Sequence, residues 1–521
     1  MKTPEIVAIG DSQTRARDGL FTRIRWASRT FFPFLAFFVT LLFLSLPKGL
    51  SSLAAWVSIP VTTRSAEAAE AFGFSDAGSL LKAAMSLRES GTITPEWQWV
   101  YNLWPPGMVI VDRVMLELEA LINVPIVLLM VVLGCLVWAA LFGTWFAMVR
   151  SRWGSIPAVV FGIGAVLYSG ISVWGVKNGL FYADSFGTAA FCLSILLLVK
   201  VSQAQTSKQR VVLASLAGVA LATACYFRAS FEIVAGGTLL LASVMLVVAL
   251  IARASHRLPV FAPGAIGAML PLAVMGIAAQ IVMLPWRLYS AITNHPGDFR
   301  WSTVSDLASP ARWLPESILR DAGMQFAIDG RSNWACTNDP VQCNTIFRLE
   351  NTTESPYSGG YFTPREFDAM ALQAFFAHPF RFIAERLDAL WIGLSATTGT
   401  SVTQQALPES LLLVGLFVAI VAVIIRTRLF NNPGILYFLI ASAGQIATLT
   451  MMHMESRYFL ALELSTIMVA ALVLPRAFRQ TNPDLKLIAP DPIDRKRSLP
   501  RKTDERSKQH DSESIRGGSR L

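Results

Sequence analysis

The sequence predicts an all-α, polytopic membrane protein. Of its 521 residues 53% are hydrophobic and only 15% are charged, whereas soluble domains average about 25% charged residues. Apolar runs of about twenty residues recur along the chain, which is the helix length that crosses a hydrocarbon core. Helices are favoured over a strand barrel because each helix satisfies its own backbone hydrogen bonds. We therefore expect about 10–11 transmembrane helices, with helices at the membrane surface and an external loop subdomain.

Ten apolar runs carry this prediction. In chain order the predicted spans are 30–46, 124–149, 156–173, 184–198, 211–226, 233–251, 262–284, 411–425, 435–451 and 459–473. Residues 391–400 stay open as a further short or re-entrant segment. The polar stretch before the eighth span is too long for a simple connection, which predicts a folded external subdomain.

Lysine and arginine residues concentrate in every second connection between the predicted spans. They precede the first span and then recur as Arg150, Arg152, Lys200, Lys208, Arg210, Arg253, Arg257, Arg426, Arg428, Arg476 and Arg479. The positive-inside rule makes these loops cytoplasmic, so both termini are expected in the cytoplasm of a bacterial inner-membrane protein. The same rule explains the net charge of +9, and we expect no nucleic-acid partner. The first span follows a long basic segment without a cleavage site, so it is predicted to stay as an anchor.

Five regions follow from this topology. They are a basic cytoplasmic N-terminus (1–29), an N-terminal transmembrane region (30–284) with an external catalytic loop (48–122), a large external loop subdomain (285–386), a C-terminal transmembrane region (387–476) and a disordered basic cytoplasmic tail (477–521). The tail is predicted to be disordered because it is charged and nearly free of large apolar residues.

The five cysteines divide by topology. Cys135, Cys192 and Cys225 fall inside predicted spans and are interpreted as small packing residues. Cys336 and Cys343 lie around a turn in the external subdomain. A disulfide between them is predicted because that side of the membrane is oxidising, and a metal-binding pair is the alternative.

The external loop 48–122 contains the residues that membrane insertion explains least. Asp76 precedes apolar residues at helical spacing in DAGSLLKAAMSLRES, which predicts an amphipathic helix along the membrane surface. Asp76, or Ser75, caps this helix at its N-terminus. The alternative is that Asp76 acts as a general base where an acceptor meets a lipid-linked donor. Lys82 lies on the polar side of the helix and is a candidate substrate-binding residue.

A rigid turn, Trp104-Pro105-Pro106-Gly107, follows and starts a second short helix. Asp112 and Glu119 lie two turns apart on one face of that helix, where they either face water or, for Asp112, take part in catalysis. Trp104 is a candidate substrate-binding residue. The aromatic residues around the turn suit an interfacial belt, although aromatic faces also support sugar rings; they are Trp97, Trp99, Tyr101 and Trp104.

Ionisable residues also lie at the external edge of the spans, where they are costly and usually have a task or a partner. Asp184 opens the span 184–198, and Lys177 is its nearest possible partner. Three arginines share this margin, namely Arg228, Arg287 and Arg457, with Glu232, Asp298 and Glu455 as possible partners. A phosphate headgroup is the alternative partner, because the guanidinium fork matches phosphate oxygens.

Other chemistries have weaker support. His453 and Glu455 are possible metal ligands, but one histidine and one acid are too few to define a site. The sequence has no P-loop, no GxSxG elbow and no HExxH helix. ATP-driven transport by this chain alone is therefore not expected.

The order of these features resembles the GT-C superfamily of polyprenyl-phosphate-sugar-dependent glycosyltransferases, which includes protein O-mannosyltransferases and lipid A aminoarabinose transferases. The resemblance covers nearly the whole chain from the first span to about Pro475. Its motifs are Asp76 with Pro105-Pro106-Gly107, Asp184 in FYADSFG, Arg228 in CYFRASFE, Arg287 in LPWRLYSAITN, the segment HPFRFIAERLDALW, and Glu455, Arg457 and Tyr458 in ESRY.

This resemblance implies an inverting glycosyltransferase that moves a sugar from a polyprenyl-phosphate donor to an acceptor on the external, periplasmic face. The acceptor is a lipid, a glycan or a protein, and membrane lipids surround the enzyme. Asp76 would be the general base, with Asp112 or Glu70 as alternatives. Two other functions stay open: a transporter or flippase of lipid-linked glycans, and a lipid-pyrophosphate glycan polymerase or ligase.

The resemblance also assigns the donor site. Arg457 and Tyr458, with Arg228 or Arg287, would hold the donor phosphate. Asp184 would position the sugar, the acceptor or a divalent metal ion. No cofactor is certain, and a metal requirement stays open.

Overall fold

The structure is a computed structural model. It describes residues 31–44, 66, 76–97, 100–101, 104–172, 183–255, 263–293, 347–348, 361–362, 372–373, 375–384, 387, 407–427, 429–451 and 460–481.

Helices make up almost all of this described part. In chain order they are α1 (Phe31–Leu44), α2 (Asp76–Ser90), α3 (Gly107–Ile122), α4 (Ile126–Trp153), α5 (Ser155–Ser172), α6 (Ala183–Val201), α7 (Ser207–Phe227), α8 (Ser230–Ser255), α9 (Pro263–Thr293), α10 (Leu407–Thr427), α11 (Pro433–Met451) and α12 (Leu460–Thr481). Short 3₁₀ turns lie at Pro95–Trp97 and Leu429–Asn431. Two-residue strands, β1 (Phe347–Arg348) and β2 (Tyr361–Phe362), pair antiparallel, with Phe347 opposite Phe362.

The protein is an α-helical membrane protein. Among the described residues five helices, α4 and α6 to α9, are long and apolar enough to cross a bilayer, and α1, α5, α10, α11 and α12 provide shorter apolar stretches. Each of these ten helices overlaps a predicted span. Apolar run length was sufficient to find them because a membrane helix must be apolar over most of its length.

Local sequence signals set several helix boundaries. Thr206 and Gln209 form a reciprocal capping box at the start of α7. Gly154 adopts a φ of 92° after α4, a conformation that favours glycine, so the chain turns sharply into α5. Asn123 ends α3 in the left-handed region with a φ of 53°.

The helix α6 lies at the centre of the bundle. It packs against α4, α7, α11 and α12, and most of its residues are buried. Near its basic end, the amide of Asn432 donates a hydrogen bond to Ser202 over 2.8 Å. The start of α6, with Asp184, therefore lies at the opposite end from this contact and from Lys200.

The structure corrects some of the predicted boundaries. The helix α9 passes the predicted end of its span, Leu284, and continues through Pro285 to Thr293, so the first residues assigned to the external subdomain are helical. At the end of the bundle α12 continues to Thr481, beyond the predicted start of the tail. Residues 379–384, which belong to the His-Pro motif, are helical as expected.

The cysteines inside the spans are buried and free, as predicted for Cys135, Cys192 and Cys225. Cys336 and Cys343 lie outside the described residues, as do the basic N-terminus and the charged tail beyond α12. The predicted disulfide stays a prediction.

Candidate functional site

The candidate site centres on an ion pair between Asp184 and Arg228. Asp184 lies in the first turn of α6, and Arg228 directly follows the last residue of α7. The guanidinium Nε donates to Oδ1 of Asp184, and the side chains are 17% and 9% exposed. The sequence predicted that Asp184 needs a partner, but the nearest candidate, Lys177, lies outside the described residues. Arg228 takes that place because α6 and α7 pack side by side, so the start of α6 meets the end of α7.

This pair is recessed relative to α4. Trp138 donates from its indole Nε1 to the hydroxyl of Ser185 over 3.0 Å, in a buried contact next to Asp184. Trp138 lies about 18 Å from the start of α4 at the usual helical rise of about 1.5 Å per residue. The first half of α4 therefore extends beyond the start of α6, on the side opposite to the basic loops.

Arg287 forms a second, more deeply buried ion pair. Its Nη2 lies 3.7 Å from Oε2 of Glu232, and the two side chains are 3% and 2% exposed. Its Nη1 donates to Oε1 of Gln280, and its Nη2 contacts the sulfur of Met283 at 3.9 Å. Since both contacts lie on the preceding turns of α9, the guanidinium points back into the bundle. By distance along the sequence, Asp298 was the expected partner of Arg287, and it lies outside the described residues. The observed partner of Arg287 is Glu232 on α8.

The course of α9 around Pro285 explains how Arg287 reaches this position. Proline has no N–H and its ring disturbs the preceding turn of a helix, so carbonyl groups there become available to other donors. The hydroxyl of Tyr226 donates to the carbonyl oxygen of Val282 over 3.0 Å. Tyr226, at the end of α7, therefore fixes α9 just before the proline.

The Trp104–Gly107 turn packs directly on the end of α7. A Cβ atom on Gly107 would lie 2.7 Å from the carbonyl carbon of Tyr226 and 3.2 Å from the nitrogen of Phe227. Only glycine permits this approach, because any side chain would collide with backbone. Within the turn the amide of Trp104 donates to the carbonyl of Val100 over 2.9 Å. The loop 48–122 therefore contacts Phe227, the residue that precedes Arg228.

The predicted amphipathic helix is present as α2, and it begins at Asp76. Its buried residues include Leu80, Leu81 and Ala84, as the spacing predicted. However, α2 packs against α3, so part of this apolar face meets protein rather than lipid. Lys82 is half-buried. The side chain of Asp76 lies outside the description, and its role as base stays a prediction.

Asp112 and Glu119 lie on one face of α3 as predicted, but that face is buried and does not face water. Glu119 accepts a hydrogen bond from the backbone N–H of Ile126 over 3.1 Å and thereby caps the start of α4. Asp112 is 1% exposed, and its Oδ1 has no hydrogen-bond partner among the described residues. Burial raises the pKa of the Asp112 carboxyl well above its ordinary value, which favours the neutral acid.

Sequence reasoning missed Glu463 as a residue of interest. It lies in the first turn of α12 and is 2% exposed. An acidic residue inside the apolar run LALELSTIMVAALVL was the available signal, since ionisable groups within membrane spans are costly. In the described part of the chain no three His, Cys, Asp or Glu side chains come together as a metal site would require.

Several predicted residues cannot be placed relative to this site. Those outside the described residues are Glu70, Trp99, His453, Glu455, Arg457 and Tyr458. The structure pairs Asp184 with Arg228 and packs the turn that contains Trp104 on the end of α7, whereas Arg287 pairs with Glu232.

Comparison with family models, with the curated proteins and with the solved structures finds no match to this chain. Function therefore rests on the chemistry of the site and on the order of motifs in the sequence.

Proposed function

We propose that this protein is an integral-membrane glycosyltransferase of the GT-C type. It transfers a sugar from a polyprenyl-phosphate donor to a hydroxyl acceptor at the external face of the bacterial inner membrane. The N- and C-termini lie in the cytoplasm in this proposal, and the acceptor is a lipid, a glycan or a protein.

The observation that carries the proposal is the Asp184–Arg228 pair beneath the external loop. A carboxylate and a guanidinium meet at the ends of two apolar helices, where a lipid phosphate travelling in the bilayer would arrive. The Gly107 turn packs beside Arg228, so a water-facing acceptor bound by the external loop would meet the lipid-borne donor there. This juxtaposition supports a transfer reaction between the two phases.

In the proposed reaction the oxygen of the acceptor hydroxyl attacks the anomeric carbon of the donor sugar. A new glycosidic C–O bond forms, the bond between the anomeric carbon and the phosphate oxygen breaks, and polyprenyl phosphate leaves with the bonding electron pair. The hydroxyl proton passes to a carboxylate, for which Asp76 remains our assignment. Neutral Asp112 cannot accept a proton, so in that state it acts as a hydrogen-bond donor.

The ion-paired arginines Arg228 and Arg287 have different roles in this proposal. Arg228 is the more exposed and holds the leaving phosphate, with Asp184 keeping its fork in position until the donor binds. Arg287 is enclosed by Glu232, Gln280 and Met283, so it acts through the packing of α8 and α9. Arg457 and Tyr458 remain donor-phosphate candidates from the motif resemblance.

A flippase of lipid-linked glycans is the second candidate. It is favoured by polar atoms inside the bundle that have no hydrogen-bond partner among the described residues, namely the hydroxyls of Thr238 and Ser442 and Oε1 of Gln445. Polar groups in a membrane interior often mark a path for a polar substrate. A flippase would move the lipid without cleaving it, which gives a direct test.

The experiment compares Arg228→Lys and Asp184→Asn with wild type in proteoliposomes that contain a polyprenyl-phosphate hexose. Lysine keeps the charge but not the bidentate fork, so Arg228→Lys should lower transfer by roughly tenfold or more. Arg113→Lys is the matched control, because Arg113 pairs with Glu117 on the outside of α3. Full activity of a folded Arg228→Lys variant would remove Arg228 from the donor site. Transfer only from a pyrophosphate-linked oligosaccharide would identify a polymerase or ligase instead.

A further inference from the structure

An aromatic cluster joins the external loop to the outer end of α9. The rings of Tyr101 and Trp286 lie 6.2 Å apart, and Trp286 stacks on Tyr289 at 5.2 Å. Tyr101 is contributed by the segment that leads into the Trp104–Gly107 turn, and Trp286 follows Pro285 directly. The cluster therefore connects the two elements that bring the external loop to the candidate site.

The polar edges of this cluster have no hydrogen-bond partner in the part of the chain that the structure describes. Tyr101 is 2% exposed. Neither its hydroxyl nor the indole Nε1 of Trp286 has a hydrogen-bond partner among the described residues. Buried polar groups are nearly always hydrogen-bonded, and those that are not need an explanation. Phenylalanine at both positions would supply a ring without a polar atom, so packing alone does not require these groups.

Both groups act as donors to an incoming ligand. The indole N–H can only donate a hydrogen bond. Burial, with a smaller contribution from Tyr289, raises the pKa of Tyr101 to about 12, so its hydroxyl keeps its proton at neutral pH. Two neighbouring donors set among aromatic rings fit the oxygen atoms of a hydroxyl-rich ring, which is a carbohydrate.

The position of the cluster relates it to the donor site. Trp286 lies one turn after Val282, whose carbonyl accepts the hydroxyl of Tyr226. Tyr226 also contacts the Gly107 turn and lies two residues before Arg228. A sugar whose phosphate is held at Arg228 would extend from the bundle toward the external loop, on the side where Tyr101 and Trp286 meet.

We propose that the hydroxyl of Tyr101 and the indole N–H of Trp286 form a subsite for the hydroxyl groups of the donor sugar. This inference rests on the proposed glycosyltransferase function and goes beyond it by naming which part of the donor these two residues recognise. In this proposal the sugar hydroxyls accept from the two donors that have no partner among the described residues.

The test measures binding of two probes to the full-length protein in nanodiscs: a short-chain polyprenyl phosphate, and the same lipid with mannose or glucose attached. Tyr101→Phe removes only the hydroxyl, and Trp286→Phe removes the indole N–H. We expect wild type to bind the sugar-bearing lipid more tightly than the bare lipid. The ratio of the Kd of the bare lipid to that of the sugar-bearing lipid should fall roughly three- to tenfold in each variant. Binding of the bare lipid should not change, and Tyr101→Phe should unfold at the same temperature as wild type or higher.

Tyr437→Phe is the control, because Tyr437 is a buried tyrosine near the start of α11, a different helix from those that form the cluster. It should leave the preference for the sugar intact. An unchanged preference in Tyr101→Phe would overturn the subsite, even if Trp286→Phe proves unstable. Equal binding of the two lipids by wild type would also overturn it while leaving phosphate recognition standing. Binding of neither lipid would overturn the proposed function itself.

Discussion

Replacing Asp112 by asparagine should make the protein more stable at neutral and alkaline pH. Asp112 lies on the buried face of α3, is 1% exposed, and has no described partner for Oδ1. Burial without a compensating charge penalises the carboxylate, so the pKa of Asp112 is well above the ordinary value of 3.8. Asparagine has nearly the same size and no charge, so it removes this penalty with little change in packing.

The sign of the pH dependence follows from this raised pKa. The unfolded chain loses the proton near pH 3.8, whereas the folded protein holds it to higher pH. The contribution of the protonated carboxyl to stability is therefore complete below pH 3.8 and is lost as the pH rises through the native pKa. Between those two values a single group changes the free energy of unfolding by about 1.4 kcal/mol per pH unit.

Thermal unfolding in detergent, followed by tryptophan fluorescence from pH 5 to pH 8, measures this effect. Asp112→Asn should gain stability relative to wild type as the pH rises, until the difference levels off at the native pKa of Asp112. Glu117→Gln is the control, since Glu117 is an exposed carboxylate that pairs with Arg113 on the same helix. The reasoning is refuted if Asp112→Asn is less stable than wild type at pH 8, because Asp112 would then be ionised and paired.

Two further substitutions test the packing around the site. Gly107→Ala should displace α3 from α7, because its Cβ would lie 2.7 Å from the carbonyl carbon of Tyr226. The variant should have a lower unfolding temperature and a lower rate of sugar transfer than wild type. Gly164→Ala is the control, since a Cβ there has nothing within 4 Å, and it should be neutral or stabilising by up to about 1 kcal/mol. Equal stability of the two variants would contradict the close approach. Glu232→Gln leaves the buried Arg287 without its carboxylate and should cost about 3–5 kcal/mol, part of which Glu232→Gln with Arg287→Met should restore. A double variant no more stable than the single one would show that the pair is not coupled.

The sequence was sufficient to predict the helices but not the partners of the charged residues. Apolar length located each described span because a helix that crosses the bilayer must be apolar over most of its length. The predicted end of the span before Pro285 was wrong. Proline usually ends a helix in water, but α9 continues through Pro285 to Thr293. The hydroxyl of Tyr226 donates a hydrogen bond to a backbone carbonyl in the turn before the proline. That support comes from another helix and has no local sequence signal.

The partners of the charged residues also depend on contacts between helices that are distant in the sequence. Asp184 was predicted to need a partner, yet the partner is Arg228, which is 44 positions away in the sequence. The helical period placed Asp112 and Glu119 on one face correctly, but the period alone does not say whether a face is buried. Both acids are buried because α3 packs against α2, α4 and α7, while its opposite face stays exposed.

The central claim is that a lipid-linked sugar is cleaved and transferred where Asp184 and Arg228 meet. The most direct measurement incubates purified full-length protein in proteoliposomes with a polyprenyl-phosphate hexose and a membrane extract as acceptor, and follows the lipid by mass spectrometry. The proposed function predicts protein-dependent release of polyprenyl monophosphate, with a sugar added to the acceptor and with both products reduced in Arg228→Lys. Intact donor that has only moved across the bilayer would contradict the claim and would favour the flippase.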